Sequence, residues 1–93
     1  MIKSFRNGLT EGIWQRQRVK GFPSDLFKAA RRKLGFLEDA VELQDLRTPP
    51  GNRLEALKGD RAGQFSIRIN DQWRVCFRWE HGNAFDVEIT DYH

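Results

Sequence analysis

The sequence is poor in the residues that stabilise small proteins through covalent bonds or metal ions. Its 93 residues include one cysteine and two histidines. The lone Cys76 excludes an internal disulfide, and no Cys or His cluster has the spacing of metal ligands. We therefore expect no structural metal and no cofactor, and a fold that depends on its hydrophobic core.

Long apolar runs are also missing from the sequence. None approaches the roughly 20 residues needed to cross a bilayer, and the start, Met1 to Phe5, is interrupted too early to be a signal peptide. A chain of 93 residues can bury a single modest core. We expect one domain, residues 1–93, in a cytoplasmic protein that makes no membrane contact.

The charge balance is mildly basic. Sixteen lysines and arginines oppose 13 acids, which gives a net charge of +3 and a pI of about 9.4. An anionic partner, nucleic acid first, is favoured by this surplus. A surplus this small also occurs in proteins that bind no nucleic acid.

The last third of the chain carries the clearest pattern. Residues 73–79 (WRVCFRW) alternate without interruption, and the flanking runs 65–69 and 85–90 do the same, with turn residues between them. This pattern predicts a three-stranded antiparallel meander with one apolar and one polar face. Arg68, Arg74 and Arg78 fall on the polar face. Cys76 shares that face, and we interpret it as a small filler residue, since no His and Asp are organised around it as for a nucleophile.

The N-terminal half must supply the cover for the apolar face. Residues 2–5 predict a short strand at the edge of the sheet, and apolar spacing predicts helices over 9–20 and 25–38, the second with Ser24 as its N-cap. Gly35 inside that helix suggests a close approach to a neighbouring element. We therefore predict an α+β fold in which two N-terminal helices cover one face of a small antiparallel sheet, made of the N-terminal strand and the C-terminal meander.

The two predicted helices have a basic exterior. This face is either simply solvated or a contact for nucleic acid or the ribosome. Its side chains are those of Arg16, Arg18, Lys28, Arg31, Arg32 and Lys33.

Three parts of the chain offer groups for cleaving RNA without a metal ion. Lys58 lies in a turn before the meander, Arg74 is on its polar face, and Asp91, Tyr92 and His93 end the chain. Such a cleavage needs a base for the 2′-hydroxyl, positive charge on the phosphorane, and an acid for the 5′-oxygen. Arginine holds two phosphate oxygens at once. By composition alone, however, a terminal Tyr-His is more often a frayed end than a catalytic pair.

These segments also resemble a known family. The segments that carry the resemblance are residues 57–63 (LKGDRAG), 66–74 (SIRINDQWR) and 91–93 (DYH), together with 2–5 (IKSF) and 49–57 (PPGNRLEAL). The chain resembles the HigB branch of the RelE-type toxins of bacterial toxin-antitoxin systems. The resemblance covers the whole chain and implies a RelE-like fold. It also implies an mRNA interferase that enters the ribosomal A site and leaves a 2′,3′-cyclic phosphate and a 5′-hydroxyl.

The resemblance assigns a role to each candidate residue. Lys58 and Arg74 would hold the scissile phosphate, Asp91 and Tyr92 would shape the pocket, and His93 would take part in proton transfer. Glu55 departs from the family pattern, because a member of the branch has a histidine at the matching position. A carboxylate can act as the base, yet it repels the phosphate. Loss of one proton-transfer group costs about 10²-fold to 10⁴-fold in rate, so we expect a slow or mild toxin.

Two other functions stay open at this stage. The chain could be a toxin of the same fold that binds the ribosome or disturbs its assembly without cutting RNA. A DNA-gyrase poison of that fold is less favoured, since Lys58, Arg74 and Tyr92-His93 are typical of the RNA-cutting branch. The resemblance implies a helix-turn-helix antitoxin as partner, and operator DNA would be contacted only through it. The surface arginines Arg68 and Arg78 join the helical cations as candidate RNA contacts.

Overall fold

Two helices pack on one face of a four-stranded antiparallel sheet in the structure, a computed structural model that describes residues 1–91. The strands follow one another in the order β1-β2-β3-β4. This architecture confirms the α+β prediction. The elements are α1 (Gly8–Trp14), α2 (Phe27–Asp39), β1 (Glu55–Ala56), β2 (Phe65–Arg68), β3 (Arg74–Glu80) and β4 (Asn83–Thr90).

The predicted meander is present in β2, β3 and β4. In the pairing of these strands, Ile67 lies opposite Val75, and Val75 lies opposite Ile89. All three side chains are buried, and Ile13 of α1 and Leu34 of α2 belong to the same core. The alternation of apolar and polar residues therefore selects the face that the helices cover.

The alternation breaks at one point in β4. Asp86 has a left-handed φ of 52°, and the pairing shifts between Cys76 and Arg78, so that Arg78 lies opposite Phe85. This bulge adds one residue to β4, so the side chains that precede it point to the opposite face of the sheet from the one that strict alternation predicts. Phe85, predicted on the core face with Val87, instead lies under the Arg78 guanidinium, 5.5 Å from carbon to ring centroid. The prediction for Phe85 was wrong for this reason.

The N-terminal segment lies beside β4, as predicted, but in parallel orientation and as two isolated bridges. Ile2 pairs with Ala84 and Phe5 with Val87. The fourth strand of the sheet is instead β1, on the opposite edge, where Glu55 pairs with Ser66 of β2. A two-residue strand is too short to produce a periodic signal, so the sequence pattern did not reveal it.

Helix α1 ends at Trp14, six residues before the predicted end. Arg16 adopts a left-handed φ of 61°, and the amide of Gln17 donates to the carbonyl of Gly12 at 2.8 Å. The chain then folds back so far that a Cβ on Gly12 would lie 2.6 Å from Cγ1 of Val19. Only glycine fits this approach, and the turn overrides the helical spacing of the sequence.

Helix α2 also differs from its prediction in three details. A 3₁₀ turn, Ser24–Leu26, precedes it, and Leu26 occupies the N-cap position without a side-chain cap, so the prediction that Ser24 caps the helix was wrong. No atom lies within 4 Å of the position of a Cβ on Gly35, which excludes the predicted close approach. Lys33, predicted on the basic exterior, is buried with 8% of its surface exposed. It faces the connector before β1, where Asn52 accepts its hydrogen bond.

None of the helices within residues 1–91 has the length and apolar character that a membrane crossing needs.

We expect the contact between α1 and β4 to contribute measurably to stability. The buried Thr10 hydroxyl accepts a hydrogen bond from the Ile89 amide at 2.9 Å. Thr10→Val keeps the shape but leaves that amide without its acceptor, which costs about 1–3 kcal/mol. Urea unfolding measures the loss. Thr10→Ser, the matched control, keeps the oxygen and loses one methyl group, worth about 0.8 kcal/mol. Equal losses in the two variants would contradict the role of the hydrogen bond.

Candidate active site

The polar face of the sheet has a row of four side chains that crosses all its strands. Glu55 lies opposite Ser66, Ser66 opposite Cys76, and Cys76 opposite Glu88. Ser66 and Cys76 are fully buried, whereas Glu55 at the β1 edge is exposed. The row therefore forms a floor of small residues with a carboxylate at each end.

Arg74 lies beside this floor and is held by three acceptors. Its Nε donates to Ser66 Oγ at 2.8 Å, and its Nη2 donates to the Arg53 carbonyl at 2.9 Å. The same Nη2 is 3.6 Å from Glu55 Oε1, and the side chain is 17% exposed. A guanidinium fixed in this way keeps its orientation before any ligand arrives.

The Arg53 carbonyl is positioned by a buried polar network behind it. Asn52 is fully buried, and its Oδ1 accepts a hydrogen bond from Lys33 Nζ at 2.6 Å. Its Nδ2 donates to the Leu46 carbonyl at 3.1 Å and to the Thr48 carbonyl at 3.3 Å. Arg53 follows with a left-handed φ of 46°. Burial, and then the nearby positive charges, lower the pKa of Lys33. The network thus ties α2 to the segment that carries the third acceptor of Arg74.

The far end of the row carries a second cluster of charges. Arg61 Nη1 lies 3.1 Å from Glu88 Oε1 and 3.1 Å from Gln64 Oε1. Arg6 Nε lies 3.7 Å from the same Glu88 oxygen. Sequence analysis did not identify Arg61 or Arg6 as residues of this face, and it assigned no functional role to Ser66, whose place on the polar face follows from the alternation. Ser66 and Arg61 do lie within the segments that carry the family resemblance, which was the available signal.

The predicted phosphate-binding lysine lies next to this face. Lys58 is exposed and immediately precedes the 3₁₀ turn Gly59–Arg61, which follows β1. Within residues 1–91 its ammonium group has no carboxylate partner. Lys58 is therefore a cation available to an incoming anion.

The C-terminal candidates are only partly described. Asp91 Oδ2 accepts a hydrogen bond from Gln72 Nε2 at 3.0 Å, just before β3 begins. Tyr92 and His93 lie outside the described residues. The structure thus brings together Arg74 and Glu55, and leaves the predicted roles of Tyr92 and His93 as predictions.

The two other arginines of the polar face are engaged by carboxylates. Arg68 forms an ion pair with Asp71, and its hydrogen bond lowers the pKa of the Asp71 carboxyl group. Arg78 Nε donates to Asp86 at 2.8 Å, and its Nη1 lies 3.1 Å from Glu80. The Asp86 hydrogen bond raises the pKa of Arg78 above its ordinary value. An RNA phosphate would have to compete with these carboxylates.

The helical cations form a separate feature, which we call the basic concavity. It encloses about 670 Å³, and among residues 1–91 no acidic residue lines it. Arg32 also lies over the Phe36 ring, at 5.5 Å. Arg18, another of the predicted cations, is exposed but is not among the residues that line it. The concavity is lined by Trp14, Arg16, Lys28, Arg31 and Arg32.

Comparisons with known proteins show the family to which the chain belongs. The profile of the family described as "RelE-like toxin of type II toxin-antitoxin system HigB" matches residues 3–93. Toxin HigB-1 of Vibrio cholerae serotype O1 is 44% identical over 76 residues, which is 82% of this chain and 80% of the relative. Endoribonuclease HigB of Proteus vulgaris is 30% identical over 93 residues, the full length of both chains.

A structural neighbour supports the same fold. A chain of the YoeB-YefM complex from Staphylococcus aureus superimposes with a TM-score of 0.61 at 17% identity, covering all of this chain and 98% of that one. This likeness shows the fold, and the matching family profile defines the chain as a RelE-like toxin. The chain belongs to the HigB family of type II toxin-antitoxin systems, as the sequence resemblance predicted. A toxin of this kind has an antitoxin as its partner.

Cys76 should be chemically inert in the folded protein. Burial raises the pKa of its thiol to about 11, so that at pH 8 only about one molecule in a thousand carries the reactive thiolate. We expect an aromatic disulfide reagent to modify the native protein at least about 100-fold more slowly than the urea-unfolded chain. The absorbance of the released thiolate measures both rates, and N-acetylcysteine in the same buffers corrects for urea. Similar rates in both states would refute the burial argument.

Proposed function

We propose that this HigB-family toxin is a ribosome-dependent endoribonuclease, an mRNA interferase that cuts translated message in the A site without a metal ion. The observation that carries the proposal is the Arg74 guanidinium, fixed by Ser66, the Arg53 carbonyl and Glu55 at the edge of the polar face. An orientated planar fork suits a phosphodiester, and Lys58 adds a second positive charge. The naming of the Proteus vulgaris relative as an endoribonuclease supports the same activity.

The proposed reaction uses groups of the protein for each proton transfer. A base removes the proton of the 2′-hydroxyl, whose oxygen forms a bond to phosphorus as the bond to the 5′-oxygen breaks. The departing oxygen receives a proton from an acid. The products are a 2′,3′-cyclic phosphate and a 5′-hydroxyl. Lys58 and Arg74 stabilise the charge on phosphorus, Asp91 and Tyr92 shape the pocket, and His93 is the proposed acid.

Glu55 is the proposed base. Its contact with Arg74 reduces the repulsion that a carboxylate would otherwise exert on a phosphate. Its Oε1 lies 3.6 Å from Arg74 Nη2. A phosphate bound to this guanidinium approaches an ion pair instead of an isolated negative charge, which reduces the repulsion. The arrangement supports a competent, if slow, enzyme.

The basic concavity is the proposed contact with ribosomal RNA. Its four cations without a lining acid attract phosphates, and Trp14 offers a ring on which a base can stack. Arg18 extends the same surface. Arg68 and Arg78 would add contacts by exchanging their carboxylate partners for phosphates. Binding through the concavity alone would suffice for a toxin that blocks the ribosome without cutting, which is the alternative function.

The proposed antitoxin is a HigA-like helix-turn-helix protein in the same cytoplasm. Within residues 1–91 the helices are α1, of seven residues, and α2, of 13, and α2 contributes Ala30, Leu34 and Leu37 to the core. Residues 15–26 separate them, whereas a helix-turn-helix unit joins its two helices by a turn of about 3–4 residues. Operator DNA would therefore be bound through the antitoxin.

Arg74 should be essential for cutting. Arg74→Lys keeps the positive charge but loses the planar fork, and Arg74→Ala loses both. We expect the rate of cleavage to fall about 10²-fold to 10³-fold in the alanine variant and by less in the lysine variant. Primer extension on message translated in vitro measures the cuts. Lys20→Ala, an exposed charge outside the proposed sites, is the control. Wild-type cutting by both variants would refute the proposal, and full toxicity without cuts would support the blocking alternative.

Glu55 should be needed for the chemical step. Glu55→Gln keeps the size of the side chain but cannot accept the 2′-hydroxyl proton, so we expect the single-turnover rate on ribosome-bound message to fall about 10²-fold to 10⁴-fold. Asp60→Asn, which neutralises an exposed carboxylate of the neighbouring turn, is the matched control. A Glu55→Gln variant that cuts at the wild-type rate would exclude the role of base.

A further inference from the structure

A pocket lies at the free edge of β1, between that strand and the 3₁₀ turn Leu43–Arg47. It has a volume of about 320 Å³, within the range of small-ligand sites. We call it the edge pocket. Its lining residues are Leu43, Gln44, Arg47, Leu54, Glu55, Ala56 and Phe65.

The walls of the edge pocket suit a nucleobase. Leu43, Leu54 and Phe65 provide apolar surface for the flat faces of a base. Gln44 and Arg47 are exposed at the rim. Gln44 Nε2 donates to Glu42 at 2.9 Å, which leaves its carbonyl oxygen as an acceptor. Arg47 makes no ion pair within residues 1–91, so its N–H donors are available. Unstacked RNA bases are recognised by this combination of apolar faces and polar edges.

The edge pocket is continuous with the proposed phosphate clamp. Glu55 belongs to both, since it lines the pocket and its carboxylate lies 3.6 Å from Arg74. Glu55 lies in β1, and neighbouring strands of a sheet are about 4.8 Å apart. An RNA strand whose phosphate rests on Arg74 can therefore cross the two-residue β1 and place the neighbouring base in the pocket.

We propose that the edge pocket binds the nucleobase next to the scissile phosphate, and that Gln44 and Arg47 set the base preference of the cut. This inference rests on the proposed endoribonuclease function. An extended antitoxin segment is the other conceivable occupant. RNA is favoured by the Arg47 cation, which has no ion pair in the described part of the chain, and by the residue shared with the clamp.

The first test compares cut distributions on one translated message for the wild type, Gln44→Ala and Arg47→Ala. Both side chains are exposed, so the fold should persist, and Lys20→Ala controls for the lost charge. We expect the ratio of cuts at favoured and disfavoured bases to fall about 5-fold or more, the discrimination of one good side chain–base pair. Total cutting should fall less than in Arg74→Ala. Unchanged ratios in both variants overturn the inference. If the ratios are unchanged and the variants also lose antitoxin binding, the pocket is a surface for the antitoxin instead.

A second test does not depend on catalysis, so it separates failure of this inference from failure of the proposed function. The probes are 2′-O-methyl RNA tetranucleotides that carry each of the four bases at a position next to the central phosphate. NMR spectra of the full chain should show shifts at Ala56 and the Phe65 ring that depend on that base and that weaken in Gln44→Ala and Arg47→Ala. Such shifts would support the pocket even in a toxin that cuts nothing. Absence of base-dependent shifts there overturns it.

Discussion

The position of one guanidinium constrains much of this structure. Arg74 is held by a hydroxyl from β2, a backbone carbonyl from the connector and a carboxylate from β1. Each acceptor depends in turn on other contacts: Ser66 on its burial in the sheet, and the Arg53 carbonyl on Asn52 and the buried Lys33 behind it. The meander, the irregular connector and α2 therefore converge on a single side chain. Residues far from Arg74 can therefore influence its orientation through these contacts.

Charge on the molecule is divided between two kinds of surface. On the polar face, Arg68, Arg78 and Arg61 each contact a carboxylate. The basic concavity on the helical side has no such neutralisation among its lining residues. Positive charge is therefore less neutralised on the helical side than around the arginines of the polar face. This division accounts for a small net charge in a protein with two cationic surfaces.

The sequence predicted the features that repeat along the chain and missed those that depend on one backbone angle or one distant contact. Strict alternation located the meander and its core face, and Arg74 was identified by its place on the polar strand face and by the family resemblance. The bulge at Asp86, the left-handed Arg16 and the two-residue β1 leave no periodic signal. Lys33 was placed outside because lysine is rarely buried. Its acceptor Asn52 lies 19 residues away, and local patterns carry no information on such a pair.

The first and last segments of the chain meet in the sheet. Lys3 donates to the Ala84 carbonyl, Val87 donates to the Ser4 carbonyl, and Thr10 accepts from Ile89. During synthesis the N-terminal residues emerge long before their partners exist, so these contacts cannot form until the final strand has left the exit tunnel. Until that moment β3 also lacks its partner β4, and the polar row lacks Glu88. The candidate site is therefore completed only after the last strand of the sheet has emerged.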